Sequence, residues 1–311
     1  MLLRAALSGF SLVLVLVLVP VAAAQERIAD FSNSVRIEYL YAQTGEFQSG
    51  IGALQAGTTD THAFLLSGVW SLNDKWKIYG SLPYVQKRLI DPTGGGTHDW
   101  RLDFVEYTPP DLRIVDDGKF HGGFQDFFAG VQYLAIDGPA FKLSPFVSYG
   151  IPVSDYPIYG SAIIGRGLNE LHVGASIEVT PYFSDWYFKA DIAYAFSEKV
   201  LGVDLNYWLT YLSASYYVTP RFAPRVFVTS RHAPNGLRYP EDFEPYEEKY
   251  DNESGWRHDQ TLRHNYINAG IGFDYVAGDR YQISASYYKT IDADNLLKID
   301  YAFSVALMRS F

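Results

Sequence analysis

Trp186-Tyr187-Phe188-Lys189-Ala190-Asp191-Ile192-Ala193-Tyr194-Ala195-Phe196 decides how this chain folds. Its even positions read Trp, Phe, Ala, Ile, Tyr, Phe and its odd positions Tyr, Lys, Asp, Ala, Ala, so a period of two separates an apolar face from a polar one. Successive strand side chains point to opposite faces, whereas a helix would scatter these residues around its axis. The stretch predicts a β-strand with one side against an apolar phase. The alternation recurs upstream, where Leu171, Val173, Ala175, Ile177 and Val179 interleave with Glu170, His172, Gly174, Ser176 and Glu178. Val35, Ile37, Tyr39 and Tyr41 face away from Arg36 and Glu38, and Tyr281, Ile283, Ala285 and Tyr287 away from Gln282, Ser284 and Ser286. Two stretches, 61–72 and 203–218, carry large residues on both faces, which predicts a bulge or a partly apolar interior.

Twelve such segments follow one another, at about 33–43, 60–71, 75–88, 124–136, 140–150, 168–179, 185–197, 203–218, 223–231, 262–276, 280–290 and 296–310. Each has about the length that a tilted strand needs to cross a bilayer. Asn73-Asp74, Asp137-Gly138, 180–184, 219–222 and Gly278-Asp279 are tight turns built from turn-forming residues. Between them lie long excursions at 44–59, 89–123, 151–167 and 232–261 and shorter ones at 198–202 and 291–295. Strict alternation puts the tight turns on one edge of the sheet and the longer loops on the other, as in outer-membrane barrels with short periplasmic turns. The predicted fold is all-β: a transmembrane up-and-down antiparallel β-barrel of about twelve strands, with both ends periplasmic. A secreted soluble sandwich is the rival fold.

Composition removes other classes. Without a single Cys there is no disulfide framework, thiolate metal site or cysteine nucleophile. Lys and Arg number 25 against 35 Asp and Glu, a net charge of −10, which argues against a nucleic-acid partner because a phosphate backbone needs a dense basic surface. Hydrophobic residues at 48% and charged ones at 19% place the chain far from disorder.

Both ends read as addresses. Arg4, the apolar run Leu12 to Val19 and the small residues Val21-Ala22-Ala23-Ala24 predict a cleaved signal peptide over 1–24, leaving 25–311 as the barrel. At the other end Tyr301, Phe303, Val305, Leu307 and Arg309 lead by twos to Phe311. That pattern resembles the sorting signal of outer-membrane barrels, and it implies the barrel-assembly machinery as a partner. The expected location is the outer membrane of a Gram-negative bacterium, among its lipids and lipopolysaccharide.

If the apolar face meets lipid, the polar face lines a lumen. Glu170, His172, Lys189, Asp191, Arg36 and Glu38 are the candidate constriction residues, with Lys142, Glu178, Arg225 and Arg231 in the same register. Tyr79, Phe128, Phe146, Tyr187, Phe227 and Tyr288 share the inward register and predict a partly aromatic path for a small solute. Twelve strands predict a narrow bore, open or blocked by an inward-folded loop such as 89–123.

Chemistry-bearing motifs are few. The acidic stretch 239–259 reads as a solvated loop, its spacing fitting no calcium loop. Gly94-Gly95-Gly96 lacks the Lys-Ser/Thr of a phosphate loop. His232-Ala233-Pro234-Asn235-Gly236 resembles the His-x-Ser-Asn-Gly stretch of outer-membrane phospholipases and lipid A deacylases, but Pro234 stands where the nucleophilic serine belongs. The reading is therefore of no catalytic residue, no cofactor and no metal site.

One resemblance is more particular. Residues 74–88, ending in Leu82-Pro83-Tyr84 and its successors, 121–133 with Gly123-Phe124-Gln125-Asp126, and 150–168 with Gly150-Ile151-Pro152 and Gly165-Arg166-Gly167 are similar to the phenol-degradation meta-pathway family of outer-membrane barrels. The similarity covers 60–220 best. It implies uptake of hydrophobic or aromatic compounds and transfers no binding residue. The functional expectation is a passive channel for small organic solutes, hydrophobic or aromatic. A non-conducting barrel acting through its external loops and a lipid-acting esterase around His232 are the alternatives.

Overall fold

The computed structural model describes residues 33–49, 52–90, 115–158, 162–239, 241–242 and 257–311. The predicted signal peptide, Gly94 to Gly96 and most of the acidic loop lie outside the described residues. The strands run β1 (Ser34–Ser49), β2 (Gly52–Ser71), β3 (Trp76–Ile90), β4 (His121–Phe124), β5 (Asp126–Tyr133), β6 (Ile136–Asp137), β7 (Phe141–Pro152), β8 (Glu170–Val179), β9 (Trp186–Ser197), β10 (Tyr207–Tyr216), β11 (Phe222–His232), β12 (Asn265–Ala277), β13 (Tyr281–Asp294) and β14 (Leu296–Ser310). β4 and β5 are two halves of one barrel strand, both paired to β3, and β6 is a two-residue appendage of β7. Pairing β1 to β14, with Val35 opposite Arg309 and Tyr41 opposite Phe303, closes a twelve-stranded antiparallel barrel. Among the described residues no helix is long and apolar enough to cross a membrane.

The outer wall is what a bilayer requires. Ile37, Phe64, Leu66, Val226, Ile271, Val305 and Leu307 are each at least half exposed on the outward face. A contiguous belt of this kind is foreign to a water-soluble surface. Aromatic rings border it at both ends. Trp70 stacks on Phe311, Trp76 tilts on Tyr133 and Trp186 on Tyr216 at the tight-turn end. At the loop end Tyr194 meets Trp208, and Tyr84 meets Phe124. Such girdles sit at the headgroup level, where an amphipathic ring has one wet side.

Three expectations need correction. The excursions predicted at 44–59 and 291–295 are extended hairpins, β1 and β2 pairing out to Ser49 and Gly52, and β13 passing to β14 through Asn295 alone. Above the hydrocarbon both faces of a strand meet water, so the period-two apolar signal disappears while the ladder continues. No bulge occurs in 61–72, which pairs with β1 and β3 without a break; the register shift lies at Thr44/Glu46. The strand predicted from 203 begins at Tyr207, because Val203 and Leu205 turn inward to a buried cluster with Leu237 and Leu262. The wall is also interrupted between β4 and β5. Pro83 opposite has no N–H for the ladder, and its carbonyl instead accepts from Gln125 N at 2.9 Å.

Candidate functional site: the lumen and its cap

Closing the barrel turns the polar register into the wall of a cavity of about 930 Å³. Arg36, Glu38, Lys189, Asp191, Tyr187, Phe227 and Tyr288, all expected inside, line it. Its charges pair with one another. Arg36 holds Glu38 at 2.8 Å, Lys189 holds Asp191 at 3.2 Å, and Arg225 holds Asp274 at 3.2 Å. Gln282 Nε2 and Ser284 Oγ donate to the other Asp274 oxygen at 3.0 and 2.6 Å, so this carboxylate is fully engaged.

Glu170 and His172 do not join this set. His172 is opposite Ala195, six residues up β9 from Lys189, which is roughly 20 Å at about 3.3 Å per residue. Glu170 is buried at the loop end and accepts four donors: Arg166 Nη2 and Ser197 Oγ on one oxygen, Tyr207 Oη at 2.6 Å and His172 Nε2 at 3.3 Å on the other. The candidate constriction residues therefore fall into two clusters at different heights. Arg166, Tyr207 and Lys87 were not anticipated. Arg166 lies in a loop without periodicity. Tyr207 and Lys87 carried a weaker signal, as inward members of alternating strands.

The aromatic candidates also divide. Tyr79, Phe128 and Phe146 are each directly opposite a glycine on the neighbouring strand: Gly130, Gly150 and Gly174. A Cβ on any of these glycines would run into the facing ring. The three rings thus occupy the space that missing side chains leave on the inner wall. Phe227 repeats the arrangement over Gly270, while Tyr187, Phe227 and Tyr288 also line the cavity. The bore keeps its width because these rings lie against the wall.

The loop end carries an inward-folded cap. Tyr156 and Ile164 pack on Val85, and Ala162 and Ile163 on Leu89 and Val115, all inner-wall or loop positions. Tyr156 Oη donates to Asp126 at 2.5 Å and accepts from Gly167 N at 2.8 Å; burial and the neighbouring Asp126 carboxylate push its phenol well above the usual range. Gln260 Nε2 donates to the Arg166 carbonyl at 2.5 Å, tying the helical turn His258–Thr261 to the same segment. The inward-folded pieces are thus 153–158 and 162–168; of the expected plug 89–123, residues 91–114 lie outside the described residues. His232 ends β11 opposite Trp208 on the outward face, exposed, and has no hydrogen-bonded serine or carboxylate among the described residues.

The sequence matches no family model and no curated protein. Among solved structures the chain is similar to an outer membrane channel from Pseudomonas putida F1, at 10% identity over 90% of this chain and 96% of that one, with a TM-score of 0.65. It is also similar to the β domain of the Bordetella autotransporter BrkA, at 11% identity over 90% and 100%, with a TM-score of 0.51. At such identities the likeness concerns the fold. Closed wall, apolar belt, girdles and these likenesses together define an outer-membrane β-barrel of Gram-negative type with a porin-like architecture.

Proposed function

We propose that this barrel is a passive outer-membrane channel for small organic solutes, hydrophobic or aromatic. The observation that carries the proposal is the cavity of about 930 Å³ inside a closed wall, lined by ion pairs that neutralise one another and by aromatic rings. The three ion pairs neutralise one another along the wall, while Tyr187, Phe227 and Tyr288 offer a low-polarity surface to a ring or short chain. The resemblance to the phenol-degradation meta-pathway barrels agrees with this reading. Phe311 acts in delivery through the barrel-assembly machinery, and residues 1–24 in export. Reconstituted protein is expected to give small, discrete single-channel currents and to swell liposomes in small organic solutes but not in large sugars. A barrel that acts only through its external loops gives neither signal and would overturn the proposal.

A further inference from the structure

Lys87 is the odd cation of the cavity. It projects from β3 into the lumen, and of the lysines and arginines lining that space it alone has no ion pair or hydrogen bond among the described residues. Arg36, Lys189 and Arg225 each hold a carboxylate at 2.8 to 3.2 Å. Asp259 and Asp116 act on Lys87 from beyond ion-pair distance, and Asp259 is already 3.5 Å from His264 Nε2. A half-buried ammonium with no ion-pair partner among the described residues is costly, so stability alone gives no reason to keep one there.

A second observation points the same way. Arg231 stacks 3.9 Å from the centroid of Tyr207, and its Nε and Nη2 are enclosed without a hydrogen-bond partner. These two donors form the side-on edge of the guanidinium, which suits a carboxylate bidentately. Arg88 uses that edge on Asp60 Oδ2, at 2.9 and 2.7 Å. Glu170 cannot serve Arg231, because its acceptor sites are taken by Arg166, Ser197, Tyr207 and His172. Arg231 is the cross-strand partner of Tyr266, which lines the cavity. The unpaired edge of Arg231 therefore lies close to the loop-end part of the lumen, beside aromatic surface.

We propose that the cavity binds aromatic carboxylates, the carboxylate on Lys87 Nζ and the ring on the aromatic surface that Tyr266 and its neighbours give the same cavity. The proposal rests on the channel reading and narrows its solute class. Benzoate and its neutral near-isostere benzamide, titrated calorimetrically into the detergent-solubilised full chain at neutral pH, test it. Wild type is expected to bind benzoate about tenfold tighter than benzamide, the scale of one charge-assisted contact, with a preference that shrinks as chloride rises. Lys87→Gln should bring the two ligands level, and Lys87→Arg should keep them apart. Lys87→Met, which removes the unpaired charge, should melt no lower than wild type. Equal affinities in wild type, or a preference that survives in Lys87→Gln, would overturn the site. Bilayer conductance is read separately: Lys87-dependent benzoate binding without current sinks the channel and spares the site, and current without preference does the reverse.

Discussion

Gly150 and Phe128 offer the sharpest test of how the inner wall is built. The three atoms that a Cβ added to Gly150 would approach most closely all belong to the Phe128 ring. In wild type, Gly150→Ala must therefore displace the ring, an overpacking that costs about 1–3 kcal/mol. The substitution also gains about 0.5–1 kcal/mol by restricting the unfolded chain. A net destabilisation of about 1–2 kcal/mol is expected. Phe128→Ala removes the obstacle. In that background Gly150→Ala should be neutral or stabilising by about 0.5 kcal/mol, a coupling of roughly 2 kcal/mol between directly facing residues. The four proteins are compared by reversible urea unfolding in lipid vesicles. Because a displaced ring has only the lumen to enter, Gly150→Ala alone should also lower single-channel current. Equal destabilisation by Gly150→Ala in both backgrounds would refute the reasoning.

Other outcomes follow from the same geometry. Arg225→Ala leaves Asp274 buried with only Gln282 and Ser284 as donors, and it should cost about 2 kcal/mol in the same unfolding assay, whereas the paired substitution Arg225→Met with Asp274→Leu should cost less. Asp117, outside the strands, is partly desolvated, yet His121 and the Lys119 amide hold its carboxyl below the ordinary range. A depressed value means that its contribution is complete above the unfolded pKa of about 4 and is lost as pH falls through the folded one. Hydrogen exchange at the Lys119 amide, corrected for intrinsic pH dependence, should therefore stay slow at pH 5 and quicken only well below pH 4, a step absent from Asp117→Asn. Deleting Phe311, which is exposed and stacked on Trp70, should reduce the assembled fraction in cells while leaving refolding in detergent nearly unchanged; a large loss in both would make it a structural rather than a sorting residue.

Much of this architecture was legible along the chain because strand geometry is local. A period of two assigns each side chain to a face, so Arg36, Glu38, Lys189, Asp191, Tyr187 and Tyr288 could be placed inside before any pairing was known. The tight turns set the strand count and direction for the same reason, each being a few residues that include Gly, Pro, Asn or Asp. Local pattern fails where the solvent on the two faces becomes the same, as in the raised hairpin ends of β1 and β2, or where burial comes from distant chain, as in the cap. Ala162, Ile163 and Ile164 look like loop residues until Leu89, Val115 and Val85 close over them.

What the amino-acid order determined by itself was therefore a two-faced ribbon, its number of passes, and a membrane as the apolar phase. Which residues meet was decided only by the closed barrel, because partners across strands depend on the register and stagger of the whole ring. Phe128 could not be known to rest over Gly150, nor Glu170 to be saturated by four donors, from positions along the chain. That Lys87 has no ion-pair partner among the described residues is of the same kind: pairing is a property of every neighbour in three dimensions, and it became readable once the other lysine and arginines of the cavity had been matched to their acids.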